Sequence, residues 1–221
     1  MNRLKYIAIL AVVAVSFAAC APRVNKAEVI ERLEAGEVPE EVTRAAVDPA
    51  ASSVEWLGQK ITGDGHYGTI NVKSGELYVF DGRIWGGNVV IDMTTIQVVD
   101  ITDPGPAASL KGHLESDDFF SVATFPEASI QLVQFEPIEG AAEGAPNYRV
   151  SGNLTIKGIT QGIAFDALIN HTEGQVVANA DFYFDRAVYD VRFGSGRFFE
   201  NLGDNLINDN VNLKVNLVAA Y

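Results

Sequence analysis

The sequence predicts an all-β domain whose antiparallel strands close into an eight-stranded barrel, with a short helix near one end and a short helical tether before the first strand. Three observations support this fold class. From Ser52 onward, apolar and polar residues alternate as in strands that bury one face. Turn residues interrupt these runs at hairpin spacing. The last strand has no partner left except the first, and closure would remove exposed sheet edges.

Composition limits the classes of protein that the chain can represent. Its 221 residues, 48% hydrophobic and 20% charged, suit one globular domain with a substantial core. The formal net charge of −13 makes nucleic acid and anionic membranes unsuitable partners. Strands of this length could also form a two-sheet sandwich, and the alternation alone does not exclude that architecture.

The N-terminus resembles a processing signal. Arg3 and Lys5 precede an apolar run, Tyr6 to Ala19, which is shorter than the ~20 residues of a spanning helix. Cys20, the only cysteine, follows directly in "FAAC", which resembles the bacterial lipobox. We therefore predict a signal peptide at residues 1–19 and lipidation at Cys20. Ordinary secretory cleavage that leaves a free thiol is the alternative.

Residues 20–51 are predicted to form the lipidated N-terminus and a tether with short helical pieces. Asn25 and Glu28 have the spacing of a capping box, an apolar stripe follows, and Gly36 suits a helix end. A second helical piece of a turn or two is predicted from Pro39 to Thr43. These pieces either pack on the domain or act as a spacer, and the spacer is the simpler interpretation.

The barrel domain is predicted to cover residues 52–221. Its alternating apolar positions, in chain order, are Val54 and Trp56; Ile70 and Val72; Leu77 and Val79; Val89, Ile91 and Met93; Tyr148, Val150, Leu154 and Ile156; Ile163, Phe165, Ala167 and Ile169; Ala178, Ala180, Phe182 and Phe184; and Val211, Leu213, Val215 and Leu217. Between the third and fourth predicted runs, Asp81-Gly82 marks a hairpin turn. A charged helix is predicted at the start of the stretch Leu110 to Val133.

The predicted inward face is nearly free of charge. It combines bulky residues such as Trp56 and Phe165 with small ones such as Ala178 and Ala180. Adjacent alanines either meet large side chains from across the barrel or leave space for a ligand. A filled core and a hollow barrel both remain open on this pattern.

No motif for catalysis or metal binding is present in the sequence. His66, His113 and His171 lack zinc-site spacing, and no Gly-x-Ser-x-Gly elbow occurs. "FGSGRF", Phe193 to Phe198, lacks the phosphate-cradling pattern and is interpreted as a flexible loop. "DNLINDN" lacks the glycine of a calcium loop. We therefore predict no metal, no cofactor and no enzyme activity.

Two blocks of the sequence resemble the YceI-like family of bacterial envelope proteins. The first is "HLESDDFFSVATFPEASI", beginning at His113, and the second is "YRVSGNLTIKGITQGIAFDALI", beginning at Tyr148. "SVEWLGQKITG" and "GGNVVIDMTTIQVVDI" resemble the early strands of the family. The resemblance extends from about Ser52 to Ala219. It departs from the family pattern where "VEWLGQKITGDGHYGTI" lacks the histidine in its usual place and inserts glycines, and where "RFGSGRFFENLGDNLIND" is longer than usual.

The resemblance implies a lipocalin-like barrel that holds a polyisoprenoid lipid or an isoprenoid quinone. It implies that Phe119, Phe120 and Phe125 turn into the barrel beside the prenyl chain. The full set of predicted cavity residues is Trp56, Ile91, Met93, Phe119, Phe120, Phe125, Leu132, Ile156, Phe165, Ala180, Phe182 and Phe184.

The resemblance also implies a location and partners. The predicted protein faces the periplasm from a lipid anchor in the cell envelope, with the outer membrane expected, and pairs as a homodimer. Its predicted function is non-catalytic carriage or storage of the lipid. A structural or stress-related barrel with a filled core is the main alternative, and a lipid-directed hydrolase is a weaker one.

Overall fold

The computed structural model describes residues 25–172 and 174–221, so the predicted signal peptide and Cys20 lie outside the described residues. Among these residues, the regular structure is β-strand apart from one α-helix and two short turns. The elements are β1 (Glu28–Ile30), β2 (Thr43–Val47), β3 (Ser53–Gln59), β4 (Gly65–Phe80), β5 (Arg83–Val98), α1 (Pro104–Glu115), β6 (Glu127–Pro137), β7 (Tyr148–Ile156), β8 (Ile159–Thr172), β9 (Gln175–Asp185) and β10 (Asn210–Ala220). Short 3₁₀ turns occupy Arg186–Tyr189 and Gly203–Asn205.

Eight of the strands close into an antiparallel barrel, which confirms the predicted fold class. Each strand from β3 to β10 pairs with the next one in sequence. The barrel closes because β10 also pairs with β3, with Leu213 opposite Trp56. Closure pairs the edges of the first and last strands, which would otherwise be exposed. The alternating apolar residues fill the interior as a single core cluster.

The prediction of helical pieces before Ser52 is wrong, because the segment contains strands. β1 pairs with β8, with Val29 opposite Ile163. Just before β1, the Ala27 N–H donates to the Tyr183 carbonyl of β9 at 2.8 Å. The Asn25 side chain, expected to cap a helix, donates instead to main-chain carbonyls of β8 and β9. This segment therefore fills a gap between β8 and β9 rather than acting as a spacer.

β2 replaces the second predicted helical piece in the same way. It pairs with β4 and with the last residues of β10, so that it continues the position of β3 in the barrel wall. Ala45 and Val47 on its inner face are fully or almost fully buried. The sheet therefore begins before Ser52, the residue at which the sequence analysis predicted the barrel to start.

The connections between strands give the barrel two distinct ends. At the end that we call the helix end, the chain leaves β5 for α1 and leaves β9 for a long segment before β10. The turns between β3 and β4 and between β7 and β8 lie at this end as well. Residues 99–126 and 186–209 together form what we call the roof. The opposite, hairpin end carries the β4–β5 and β8–β9 turns.

Helix α1 begins earlier than the sequence indicated, at Pro104. The Asp103 side chain caps it by accepting from the Gly105 N–H at 3.0 Å, and proline suits the first turn of a helix. Leu114 is the only buried residue of the helix. In the described part of the chain, no helix is long and apolar enough to cross a bilayer.

Candidate functional site

An apolar cavity of about 130 Å³ lies inside the barrel beneath the roof. Its wall is formed by inward side chains of the strands and by a few roof residues. The lining residues are Val54, Trp56, Gly58, Ile70, Ile91, Met93, Ile96, Leu114, Phe119, Phe120, Ala128, Leu154, Ile156, Phe184, Arg186, Ile207, Val211 and Leu213. The Trp56 indole N–H is satisfied by the Gln97 carbonyl at 3.2 Å, so the ring presents only apolar surface to the cavity. None of the described wall residues carries a carboxylate.

The first part of the roof places two phenylalanines over the cavity. After α1 ends, the Phe119 N–H donates to the Ser116 carbonyl and the Phe120 N–H donates to the Leu114 carbonyl, both at 3.1 Å. These bonds satisfy carbonyls at the C-terminus of the helix and turn the chain back beneath it. Ser121 then adopts a left-handed conformation with φ of 48°, which reverses the chain toward β6.

The second part of the roof is held by a buried arginine. Arg186 follows β9 and is only 2% exposed. Its guanidinium donates to the main-chain carbonyls of Val191 (2.9 Å), Ile207 (3.3 Å) and Asn208 (3.2 Å). Asp209 Oδ1 lies 3.4 Å from Nη2, close enough for an ion pair but without hydrogen-bond geometry. Two segments of the roof, at Val191 and at Ile207–Asn208, are thus tied to one side chain.

Burial shifts the pKa values of two side chains in the roof, Arg186 and Tyr189. Desolvation lowers the pKa of the Arg186 guanidinium, and the nearby charges of Asp209 and Asp185 oppose that change. The pKa of the Tyr189 phenol is raised, mainly by burial, and its hydroxyl has no hydrogen-bond partner among the described residues. Arg197 bridges Asp185 and Asp209 from the outer side of the roof.

Aromatic rings join the two parts of the roof. The His113 ring packs edge-on against Phe119, with ring centres 5.1 Å apart, and against Phe193, at 4.4 Å. Phe119 and Phe193 also contact each other at 5.3 Å. The "FGSGRF" stretch, interpreted from sequence as a flexible loop, therefore supplies a ring to the closure of the barrel.

Seven of the twelve predicted cavity residues lie in the cavity wall. They are Trp56, Ile91, Met93, Phe119, Phe120, Ile156 and Phe184. Five of them come together because period-two alternation places them on the inner face of the barrel half nearest the roof, whereas Phe119 and Phe120 reach the cavity from the roof. Their contact with a ligand remains a prediction.

Three predicted residues pack on the core outside the cavity wall instead. Phe165 and Phe182 are buried and stack face to face, with centres 4.3 Å apart and planes 11° from parallel. Ala180, which pairs with Val215, is only partly buried; it packs on the core and borders a separate surface depression rather than the cavity wall. The Phe165–Phe182 stack fills its part of the barrel, so these three residues are not placed beside the cavity as predicted.

The remaining two predicted residues lie away from the cavity. Phe125 packs over the β7–β8 turn, where a Cβ added to Gly158 would meet its ring at 3.0 Å. That turn needs glycine for a second reason, because Gly158 has a φ of +71°. Leu132 borders a separate depression at the hairpin end.

That depression is larger than the cavity but different in character. It has a volume of about 750 Å³ and lies where β5 and β6 no longer pair beyond Gly87 and Leu132. Arg83, Gln134 and Glu136 line it together with apolar groups. Because charged residues line this depression whereas the cavity wall is apolar apart from Arg186, the cavity is the better candidate for an apolar ligand.

Sequence reasoning missed several wall residues. Leu154, Val211 and Leu213 alternate inward and could have been included on that basis alone. Ala128 lies within the first family-like block, but nothing in its local pattern distinguishes it from other alanines. Arg186 and Ile207 reach the cavity through a segment with no strand periodicity, so their position depends on tertiary contacts.

The structure supplies no arrangement for hydrolysis or metal binding among the residues that it describes. No group of three or more metal-ligating side chains occurs there. His66 contacts Asp100 at 2.7 Å and His113 contacts Asp118 at 2.9 Å. No serine hydroxyl in the same residues hydrogen-bonds to a histidine ring, so the nucleophile–base contact of a serine hydrolase is not formed.

Comparisons with known proteins agree with this architecture. The fold is similar to that of BcnA from Burkholderia cenocepacia, with 20% identity, a TM-score of 0.59, and coverage of 79% of this chain and 99% of the other. It is also similar to a polyisoprenoid binding domain from Saccharophagus degradans implicated in plant cell wall breakdown, with 17% identity, a TM-score of 0.55, and coverage of 81% and 99%.

No curated protein matches the chain. The model of the YceI-like domain matches residues 46–219, which include β3 to β9, α1 and nearly all of β10. This match begins close to β2, in agreement with the start of the sheet before Ser52. The chain therefore belongs to the YceI-like domain family.

Proposed function

We propose that this protein binds a long-chain isoprenoid lipid or an isoprenoid quinone, without catalysis, as a carrier or store in the bacterial cell envelope. The observation that carries this proposal is an interior cavity whose described wall residues include no carboxylate and one charged group, Arg186, which is bonded to main-chain carbonyls. Such a wall favours a ligand that binds by burial of CH₂ and methyl groups. The similar fold of the polyisoprenoid binding domain from Saccharophagus degradans supports the same ligand class.

The cavity must enlarge to hold such a ligand. Its volume of about 130 Å³ is below the roughly 300–1,000 Å³ of typical ligand pockets. Phe120, only half-buried in the roof, can open the cavity at the helix end if it turns outward. Separation of the Phe165–Phe182 stack would lengthen it toward the hairpin end. We therefore expect ligand binding to displace aromatic side chains rather than to fill a preformed tunnel.

A structural barrel without a ligand is the second candidate function. The small cavity and the tight Phe165–Phe182 stack favour it, because a filled interior stabilises the fold by itself. A lipid-directed hydrolase has less support, since the described residues form no nucleophile–base contact.

Organic extraction followed by mass spectrometry distinguishes binding from a purely structural role. The full-length protein is purified in detergent from a host that makes prenyl lipids, and the extract is compared with that of an unrelated lipoprotein prepared identically. We expect a prenyl lipid at near-stoichiometric yield. A reproducibly empty extract, together with failure of the protein to take up added isoprenoid quinone, would contradict the proposal and favour the structural role.

We also propose attachment to the membrane through Cys20, facing the periplasm and with the outer membrane expected. Cys20→Ser should prevent lipidation, because only the thiol accepts the diacylglyceryl group. The expected product is either uncleaved precursor or a species that leaves the detergent phase in phase partitioning. Substitution of the neighbour, Ala21→Ser, is the control and should leave partitioning unchanged. A Cys20→Ser protein that partitions like the parent would exclude the lipid anchor.

The homodimer implied by the family resemblance remains a prediction. Light scattering of the delipidated protein at two concentrations tests it.

A further inference from the structure

Six large apolar side chains are exposed around the helix end of the barrel. Each side chain is between 39% and 62% exposed. Contiguous exposed patches of large apolar side chains are uncommon on monomeric proteins and often mark interaction sites. They are Ile61, Tyr67, Val99, Phe193, Phe198 and Phe199. We call this set the aromatic rim.

Backbone contacts bring the segments of the aromatic rim to one end of the barrel. The Ile61 N–H donates to the carbonyl of Leu206 in the roof at 2.9 Å. The Val99 N–H, at the start of the other part of the roof, donates to the Tyr67 carbonyl at 3.0 Å. These six side chains therefore surround the roof. The apolar side chains exposed toward the hairpin end include Phe80, Trp85 and Tyr221.

The three phenylalanines of the rim are held in place by the roof. Ser195 is fully buried, and its carbonyl accepts from the N–H groups of Phe198 (3.2 Å) and Phe199 (3.1 Å). The Arg192 guanidinium lies over the Phe198 ring at 5.0 Å. The third ring, Phe193, packs on Phe119, which lines the cavity. The rim is thus in direct contact with the closure of the apolar cavity.

Charge limits the kind of surface that this rim can meet. The neighbouring acidic residues include Asp64, Asp190, Glu200 and Asp204, and the chain as a whole has a net charge of −13. An anionic surface would be repelled. The rim therefore suits a partner that offers apolar material behind a neutral surface, where aromatic rings at the boundary with water are stabilised.

We propose that the helix end docks on a lipid bilayer with zwitterionic headgroups, so that the aromatic rim enters the interfacial region and the roof opens toward the acyl chains. This inference rests on the proposed function, because a prenyl lipid resides in a membrane before the barrel takes it up. The proposed anchor also favours the bilayer as the occupant. Cys20 is five residues from Asn25, and a chain of that length spans at most ~17 Å. Lipidation at Cys20 would therefore hold the barrel close to the membrane, and the orientation of the barrel follows from the aromatic rim.

Fluorescence quenching tests the orientation. A tryptophan is introduced as Phe199→Trp in the rim or as Phe80→Trp, a similarly exposed site at the hairpin end, and each protein is reconstituted in phosphatidylcholine vesicles with or without brominated acyl chains. The parent protein, with Trp56 and Trp85, provides the background. We expect added quenching for Phe199→Trp alone. Added quenching for Phe80→Trp alone, or for neither variant, would overturn the proposal.

Lipid transfer tests whether the docking serves uptake. The double substitution Phe198→Ser with Phe199→Ser should slow transfer of a labelled prenyl lipid between phosphatidylcholine vesicles by at least roughly tenfold, because burial of one ring exceeds what a tenfold change requires. The matched control, Phe80→Ser with Trp85→Ser, should transfer at the parent rate. Replacing part of the phosphatidylcholine with phosphatidylglycerol should slow transfer by the parent.

Binding of the labelled lipid in detergent separates the two proposals. We expect parent-like binding there for the rim variant, because its substitutions lie outside the cavity wall. Normal binding with normal transfer by the rim variant would overturn the docking inference alone. No binding by the parent would instead contradict the proposed function. A rim that proves to pair two copies of this chain, seen as a dimer lost in the rim variant without quenching by brominated lipid, would also overturn docking on the bilayer.

Discussion

Ala128→Phe is expected to abolish the binding of prenyl lipid while the barrel stays folded. Ala128 lies on β6 opposite Ile91, and both residues line the cavity. A phenyl ring is close to the cavity in size, since an engineered cavity of about 150 Å³ binds benzene and this one measures about 130 Å³. The ring would therefore occupy the space that the ligand needs. We expect the lipid recovered by extraction to fall to roughly a tenth or less of the parent value.

Ala167→Phe is the matched control for that substitution. Ala167 is 3% exposed and lies in the packed core outside the cavity wall, whereas Ala180 is partly buried and borders a surface depression. The same added ring should overpack the core there and lower the free energy of unfolding by about 1–3 kcal/mol. Ala128→Phe should cost less than about 1 kcal/mol, because its ring enters existing space. Thermal unfolding of the delipidated variants measures the difference.

Two results would contradict this reasoning. Equal destabilisation by both substitutions would mean that the cavity beside Ala128 has no room for a ring. Undiminished lipid in the extract of Ala128→Phe would place the ligand elsewhere, with the open depression between β5 and β6 as the next region to test.

The barrel strands could be predicted from the sequence because their pattern is local and repeated. In β10, for example, Leu213 and Val215 alternate with Lys214 and Asn216. The first pair packs on the core, and β10 lies between β9 and β3. Such alternation has a period of two, which a helix cannot bury on one face. The number of strands and the lack of a partner for the last strand then favoured closure.

The N-terminal strands could not be predicted in that way, because their pairing partners lie far away in sequence. β1 has only three residues, too few for a period to be recognised. Its surroundings contained helix signals at Asn25 and Glu28, and local signals of this kind yield to tertiary hydrogen bonding. Asn153 on β7 illustrates the competing contact, because its side chain bonds both the N–H and the carbonyl of Leu33.

The candidate site was predicted only in part for a related reason. Alternation identifies inward residues but does not tell which of them border empty space. Phe182 and Phe184 are two residues apart on one face, yet Phe184 lines the cavity and Phe182 stacks on Phe165. The volume left free depends on side chains from opposite strands and on the roof, neither of which a single strand's pattern contains.

Arg186→Met is expected to give the largest loss of stability of the substitutions considered. Methionine retains much of the side chain's volume but removes every hydrogen-bond donor. The carbonyls of Val191, Ile207 and Asn208 would lose their hydrogen-bond donor. The Asp209 carboxylate would lose the buried cation with which it forms an ion pair. Breaking a buried ion pair on one side costs about 3–5 kcal/mol. For a domain of this size, that corresponds to a fall in melting temperature of roughly 6–20 °C.

Arg192→Met provides the control within the same roof segment. Arg192 is exposed and pairs with Asp190 at the surface, so its removal should change the melting temperature little. Limited proteolysis offers a second measurement, because release of residues 186–209 from Arg186 should make that segment the first site of cleavage. Since Arg186 and Ile207 both border the cavity, the loosened roof should also shorten the residence of a bound prenyl lipid. An Arg186→Met protein with the melting temperature and cleavage pattern of the parent would show that the roof is held by its aromatic contacts instead.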